Sequence, residues 1–407
     1  MLIFRPEFVF IPFGINRFFG VIGLLVFYYD KQTRHQISNI TSVSFKPFFK
    51  LLIPPLLISF FSLLINGTSD LYFPRYVLSM FLAFYAAYLI AWGFFRVYKD
   101  VAYEKMVKYM LLGGVVYTIT ALLCFLDPAL LDFANSIQRI DEIAEKSIDR
   151  TEGTRLIGIG ANFFTSSIVN GTIIILLGAY MAVRKNTVKE KVILALAFII
   201  ISILGMMMAR TVLIAVAIGI LWLTFSFVKT TKDFFQTTIA ACLLYAVIVV
   251  AVPFFFKEFA EEMDILTSFG FEMFKNKSEG GNFESASMIR LYEMWETVPD
   301  SLHSWIIGDG LWDWKGGYYK SVDLGYLRHI WYFGIIGTIF VFRYYFFSIK
   351  YIFIGKRLFA PRHKLLAISL FVFVLIANAK GPCDLFLYII PFYFCKSNYN
   401  KILYRKI

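Results

Sequence analysis

Cysteine and histidine are scarce, four of each in 407 residues, and neither type gathers into a cluster. Cys124, Cys242, Cys383 and Cys395 lie in or at the ends of apolar runs without paired metal-ligand spacing, so they read as packing residues. His35, His303, His329 and His363 are equally scattered, which leaves a zinc site without support. Charge is thin as well: only 17% of residues are Asp, Glu, Lys or Arg. The N-terminus lacks the basic start, short apolar stretch and small-residue cleavage site of a secretory signal, so the first apolar run is expected to remain in the mature protein. No repeat of solenoid period and no low-complexity tract is evident.

What fills the sequence instead is apolar surface. Hydrophobic residues make up 59% and aromatics 19%, with a mean hydropathy of +0.68, against roughly 45–50% apolar in soluble domains. The excess falls into runs near the length of about 20 residues that spans a hydrocarbon core. Eleven such runs are expected to cross the membrane, near 8–29, 49–66, 75–95, 106–126, 161–183, 191–209, 211–228, 234–255, 325–347, 365–379 and 384–395. The first carries Arg17 and the last two are short, so a hairpin or re-entrant pair is the alternative for those two. The expected fold is an all-α integral membrane protein, a single polytopic domain over residues 1–407.

A net charge of +12 raises the question of a nucleic-acid partner, and the placement of the charge answers it. Basic residues occupy alternate short connections: Lys31 to Lys50, Arg96 to Lys108, Arg184 to Lys191, Lys229 and Lys232, Arg343 to Lys364, and the tail from Lys396 to Lys406. That is the bias of cytoplasmic loops, and no nucleic-acid partner is expected. Two long connections, 127–160 and 256–324, carry more acidic than basic residues and are assigned to the opposite face. Loops of that length are usually functional or disordered. Both hold enough apolar residues to pack, so they are expected to cover a site with short helices at the membrane surface.

Three arginines on that face stand out. Arg210 ends the run Gly205–Ala209 and begins the run Thr211–Leu213, so a turn of almost no length must present it; the plain alternative is a snorkelling helix-end arginine. Arg155 precedes Gly158, Gly160 and Asn162, where glycine backbone allows close approach of a ligand and Asn162 adds an amide donor, although these are also ordinary helix-start residues. Arg290 lies in Ser287–Trp295, whose apolar spacing predicts an amphipathic helix; its plain role is an ion pair with Glu293 or Glu296. Together, planar guanidinium groups that stay charged at physiological pH point to an anionic ligand such as a diphosphate. Farther on, Gly308-Asp309-Gly310 and the following tryptophans form a turn-rich stretch whose rings suit sugar faces. Asp323 is a candidate general base, a counter-ion for an arginine, or a helix N-cap.

The order of these features resembles the O-antigen polymerase and O-antigen ligase superfamily. The likeness rests on Arg210-Thr211 between two spans, Arg290 to Trp295 in a large late outer loop, Gly308 to Gly310, Asp323 to Leu327, and Gly334 to Gly337 in the span that follows. It covers roughly Arg155 to Phe340. The resemblance implies a GT-C-type glycosyltransferase of the bacterial cytoplasmic membrane, with its site facing the periplasm, that uses undecaprenyl-diphosphate-linked sugars and needs no metal or cofactor. Arg155, Arg210 and Arg290 would hold the diphosphate and stabilise it as it leaves, with Asn162 and Tyr326 assisting. Ligases of the superfamily carry a histidine near the position of Asp323, and its absence favours the polymerase branch. Asp323 is then the first candidate base, with His329 and Glu293 behind it.

Two other readings stand beside this one. A ligase would pass the glycan to lipid A core or another terminal acceptor. A lipid-linked oligosaccharide flippase would also keep arginines near a diphosphate, but transporters usually show paired repeats and mid-membrane charges, and neither is evident. Expected partners are lipid-linked oligosaccharides, membrane lipid and a chain-length regulator protein.

Overall fold

The computed structural model describes residues 4–11, 13–139, 155–161, 163–227, 268, 269, 272, 276 and 285–396. In chain order the described α-helices are α1 (Ile15–Tyr29), α2 (Lys31–Ile40), α3 (Lys46–Asn66), α4 (Tyr72–Tyr98), α5 (Tyr103–Leu126), α6 (Pro128–Ile137), α7 (Phe163–Val183), α8 (Val188–Met208) and α9 (Val212–Phe227). They continue with α10 (Ala286–Trp295), α11 (Leu302–Ile306), α12 (Gly325–Ile349), α13 (His363–Asn378) and α14 (Phe386–Ile389). Among the described residues the only sheet is a hairpin of β1 (Asp313–Trp314) and β2 (Gly317–Tyr318).

Six described helices are long and apolar enough to cross a bilayer: α3, α4, α5, α7, α8, and α12 with the π-helical turn that extends it to Ile354. This is the composition of an all-α membrane protein. Eleven were expected, and among the described residues the differences have local causes. Residues 8–11 and 13 are not helical; Phe8 forms an isolated bridge with Gln138, and α1 begins only at Ile15, after Gly14. Helices α1 and α13 are apolar but have only 15 and 16 residues, and 16 residues of the apolar α9 are described. The run 384–395 is no span: four α-helical residues give way to a 3-10 turn, Ile390–Phe394, with Pro391 at its start. Residues 386 and 388–394 are buried, and Phe386 meets Phe48 edge-on at 5.1 Å. The expected span 234–255 lies outside the described residues.

The chain forms two compact units, one from residues 3–12 and 107–285 and the other from 13–106 and 286–407. In the first, α7 is the core. Every residue from Ser166 to Tyr180 is buried, which polar residues tolerate because Ser166, Ser167 and Thr172 return their hydroxyls to carbonyls of their own helix. Glycines let the neighbours close on it: a Cβ at Gly178 would stand 3.0 Å from the Gly219 carbonyl oxygen of α9, and one at Gly114 of α5 would meet Ile173 and Ile201 at 3.0 Å. Helix α8 starts with a capping box between Thr187 and Glu190, and Glu190 also pairs with Lys108 of α5 at 3.1 Å.

In the second unit α1 rests on α4 through Gly20 and Gly23, where any Cβ would collide with the carbonyls of Leu82 and Tyr85. Helix α12 breaks at Gly334, whose φ of 66° and ψ of −179° leave the helical region. A break at membrane depth frees backbone groups that must find other partners. Here Asp309 N–H donates to the Trp331 carbonyl at 2.6 Å and the Ser62 hydroxyl to the Tyr332 carbonyl at 3.1 Å. Asn66 in turn binds the Gly308 carbonyl at 2.9 Å. The Gly308-Asp309-Gly310 turn is therefore a plug for the break. A Cβ at Gly308 would lie 2.5 Å from the Gly334 nitrogen, and one at Gly334 would lie 2.0 Å from the Ile306 carbonyl oxygen.

Candidate functional site

Between α8 and α9 the chain turns in three residues, Ala209, Arg210 and Thr211. Ala209 N–H still bonds the Gly205 carbonyl, and Val212 N–H already bonds that of Ala209 at 3.1 Å. With both helix ends consumed in this way, the Arg210 side chain must emerge at the tip. Alongside runs 155–161: Leu156 N–H reaches the Met207 carbonyl at 3.2 Å, and Tyr117 hydroxyl donates to the Ala161 carbonyl. Gly160 sits at φ 105°, where a Cβ would strike the Phe4 carbonyl oxygen, and its N–H donates to Gln138 Oε1 at 2.7 Å. These contacts fix the backbone on both sides of Arg210 and just after Arg155.

The result is a corner with two cations. The guanidinium carbons of Arg155 and Arg210 lie 4.7 and 4.6 Å from the centroid of the Phe269 ring, and Arg155 also stands 5.3 Å from that of Phe163. Arg210 forms an ion pair with Glu272, both half-buried. Arg155 Nε has no hydrogen-bond partner among the described residues. Burial, and secondarily the charge of Arg210, bring the Arg155 guanidinium down to about 10 from its ordinary 12.5. It stays protonated at neutral pH, so among the described residues the corner carries two guanidinium groups to one carboxylate in a partly desolvated place. A dianionic or polyanionic group is the chemical complement.

The remaining candidates belong to the second unit, apart from Asn162, which lies outside the described residues. Helix α10 forms as the spacing predicts, turning Leu291 and Met294 onto a core of Val322, Leu324, Leu327 and Trp331. Arg290 is exposed on it, and among the described residues it makes no ion pair with Glu293 or Glu296, contrary to its plain role. Asp323 is half-buried; its N–H reaches Met294 Sδ at 3.4 Å. It does not cap α12, whose N-cap is Leu324 without any side-chain bond. Burial raises its carboxyl above the usual range, against the opposing pull of Arg328 and Lys380. Tyr326 gives its hydroxyl to the Leu375 carbonyl at 2.7 Å and stacks on Phe342. His329 is buried among Trp312, Phe333, Phe342 and Tyr345. Glu293 is exposed.

Two residues escaped the reading of the sequence. Glu272 supplies the counter-charge to Arg210; its only mark was a lone carboxylate within Phe269-Gly270-Phe271-Glu272-Met273-Phe274. Arg328 is 6% exposed, paired with Asp313 at 2.8 Å, bonded to the Trp312 carbonyl, and lies 4.2 and 4.1 Å from the ring centroids of Trp312 and Tyr318. An arginine one turn into an apolar helix was its signal. Comparison with protein-family models, with curated proteins and with solved structures found no match.

Proposed function

We propose that this chain is a metal-independent polysaccharide polymerase of the O-antigen type, a GT-C-like glycosyltransferase of the bacterial cytoplasmic membrane whose site faces the periplasm. It moves a growing glycan from undecaprenyl diphosphate to a hydroxyl of the next lipid-linked repeat unit. The observation that carries this reading is the corner of Arg155 and Arg210 on one aromatic ring with Glu272 as the carboxylate that pairs with it.

The chemistry asked of such a corner is electrostatic. The bond between the donor sugar's anomeric carbon and the diphosphate oxygen breaks, the acceptor oxygen takes its place on that carbon, and the acceptor proton passes to a base. Charge accumulates on the departing diphosphate, and guanidinium forks already in place stabilise it without reorganising. Asp323 is the candidate base, and the burial that raises its carboxyl makes it a better proton acceptor once ionised. Since diphosphate leaves readily, holding donor and acceptor in line supplies much of the rate. The resemblance gives Arg290 a share in holding the donor.

The test is reconstitution. Purified protein in liposomes, given undecaprenyl-diphosphate-linked repeat units with neither metal nor nucleotide sugar, is expected to produce a ladder of lengthening glycans. A single transfer to a terminal acceptor identifies a ligase, and movement of substrate across the bilayer without a new glycosidic bond identifies a flippase. Either result removes the polymerase reading.

A further inference from the structure

A hairpin with two residues per strand does not hold itself together in water, yet β1 and β2 are fastened from below with unusual thoroughness. The two turn residues, Lys315 and Gly316, have φ of 50° and 77°, the pairing of left-handed residues that closes a tight two-residue hairpin. Trp312, just before β1, stacks on Tyr72 with centroids 3.8 Å apart and planes 5° off parallel. Asp70 accepts from the N–H groups of Trp312 and Asp313 at 2.7 and 3.3 Å. Arg328 contacts the rings of Trp312 and Tyr318 and binds Asp313.

What this foundation presents is an open cavity of about 700 Å³ whose lining includes Trp314, Lys315, Tyr318, Lys320 and Ser321, and no acidic residue. Trp314 is 53% exposed and Tyr318 36%. Lys320 and Ser321, at φ of 56° and 57°, also sit in the left-handed region. Non-glycine residues there cost about 1–3 kcal/mol each and tend to collect where a site needs a fixed shape. Beyond seating Trp312 in the core, this fastening holds in place a ring, Trp314, that faces outward.

We propose that this cavity binds an acidic sugar residue of a glycan, with the C–H face of the pyranose against Trp314 and the sugar carboxylate between Lys315 and Lys320. The inference rests on the glycosyltransferase reading for the presence of a glycan, and it names the substrate class that reading leaves open. A flat aromatic ring removes the sugar's C–H surface from water in a fixed orientation. Two exposed ammonium groups select for a negative charge, and salt screens that selection.

The experiment is calorimetric titration of the whole protein in phosphatidylcholine nanodiscs with two hexasaccharides: hyaluronan, which alternates glucuronate with N-acetylglucosamine, and neutral maltohexaose. The acidic chain is expected to bind at least tenfold more tightly. Trp314→Ala should weaken it at least tenfold while Trp314→Tyr retains most of the binding, and Lys315→Gln with Lys320→Gln should abolish the preference. Equal affinity for the two chains overturns the proposal, as does unchanged binding in Trp314→Ala. So does quenching of Trp314 fluorescence by brominated lipid, read as the signal lost in Trp314→Tyr, which would make the ring an interfacial anchor. Arg210→Ala should leave this titration unchanged while ending glycan lengthening, so failure of the sugar site and failure of the polymerase reading are separately visible.

Discussion

Two arginine sites in this molecule use the same parts to opposite ends. At Arg328 one guanidinium meets two aromatic rings, one carboxylate and one carbonyl. At Arg155 and Arg210 two guanidinium groups meet the ring of Phe269 and, among the described residues, a single pairing carboxylate, Glu272. Each site keeps one buried Nε without a hydrogen bond, so an unpaired donor does not tell them apart. Charge stoichiometry does. The first is neutral as a pair and its arginine fastens a ribbon. The second, among the described residues, has one guanidinium more than it has carboxylates, a charge that a ligand can use.

The largest effect expected from this contrast is a division of phenotypes. Arg210→Ala or Arg155→Ala should lower the rate of glycan lengthening by about 10²–10³, the usual cost of removing a group that stabilises developing charge, with thermal unfolding in detergent little changed. Arg328→Ala should do the reverse. Asp313 is mostly solvated, so the loss comes from ring contacts and the bond to Trp312, roughly 1–3 kcal/mol, seen as a lower unfolding temperature. If Arg210→Ala unfolds the protein and Arg328→Ala spares it, the assignment of roles is inverted.

Asp323 sharpens the same comparison because it feels Arg328 and is still held above the usual carboxylate range by burial. Its folded-state pKa exceeds its unfolded value, so folding is disfavoured once pH rises through the unfolded value of about 4 and past the folded one. Asp323→Asn should therefore raise the unfolding temperature at pH 7 and lose that advantage below about pH 4. If Asp323 is the base, the rate of the native protein falls as pH drops through its raised pKa, and the Asn variant loses that limb along with most of its activity. A variant with native rate and an unaltered acid limb would return the role of base to Glu293 or His329.

Much of this was legible because lipid constrains sequence so strongly. Long apolar runs announced α3, α4, α5, α7, α8 and α12, and the amphipathic spacing of Ser287–Trp295 announced α10. Arg155 and Arg210 were visible as charges beside apolar runs, although no spacing rule shows that residues 55 apart in the chain would share one ring with Phe269. The run at 384–395 misled because burial by protein and burial by lipid select the same residues, and Pro391 gave no warning, since α3 runs 21 residues through Pro54 and Pro55. Gly308-Asp309-Gly310 read as a sugar-side turn because the break at Gly334, to which it answers, is a backbone event with no side-chain pattern of its own.

The smallest expected effect is the most discriminating for the two-cation corner. Glu272 pairs with Arg210 when no ligand is present, so an incoming diphosphate must compete with it for the fork. Glu272→Gln keeps the shape and removes the charge, which should tighten binding of a soluble prenyl diphosphate about two- to tenfold, a change of roughly 0.4–1.4 kcal/mol. Once the diphosphate is fully ionised, above its last phosphate pKa of about 6, the native affinity should weaken as pH climbs toward about 10, where Arg155 loses its proton. A corner whose carboxylate were structural, like Asp313 beside Arg328, would bind no more tightly after the substitution and would melt earlier; that pattern would place the two arginine sites in one class after all.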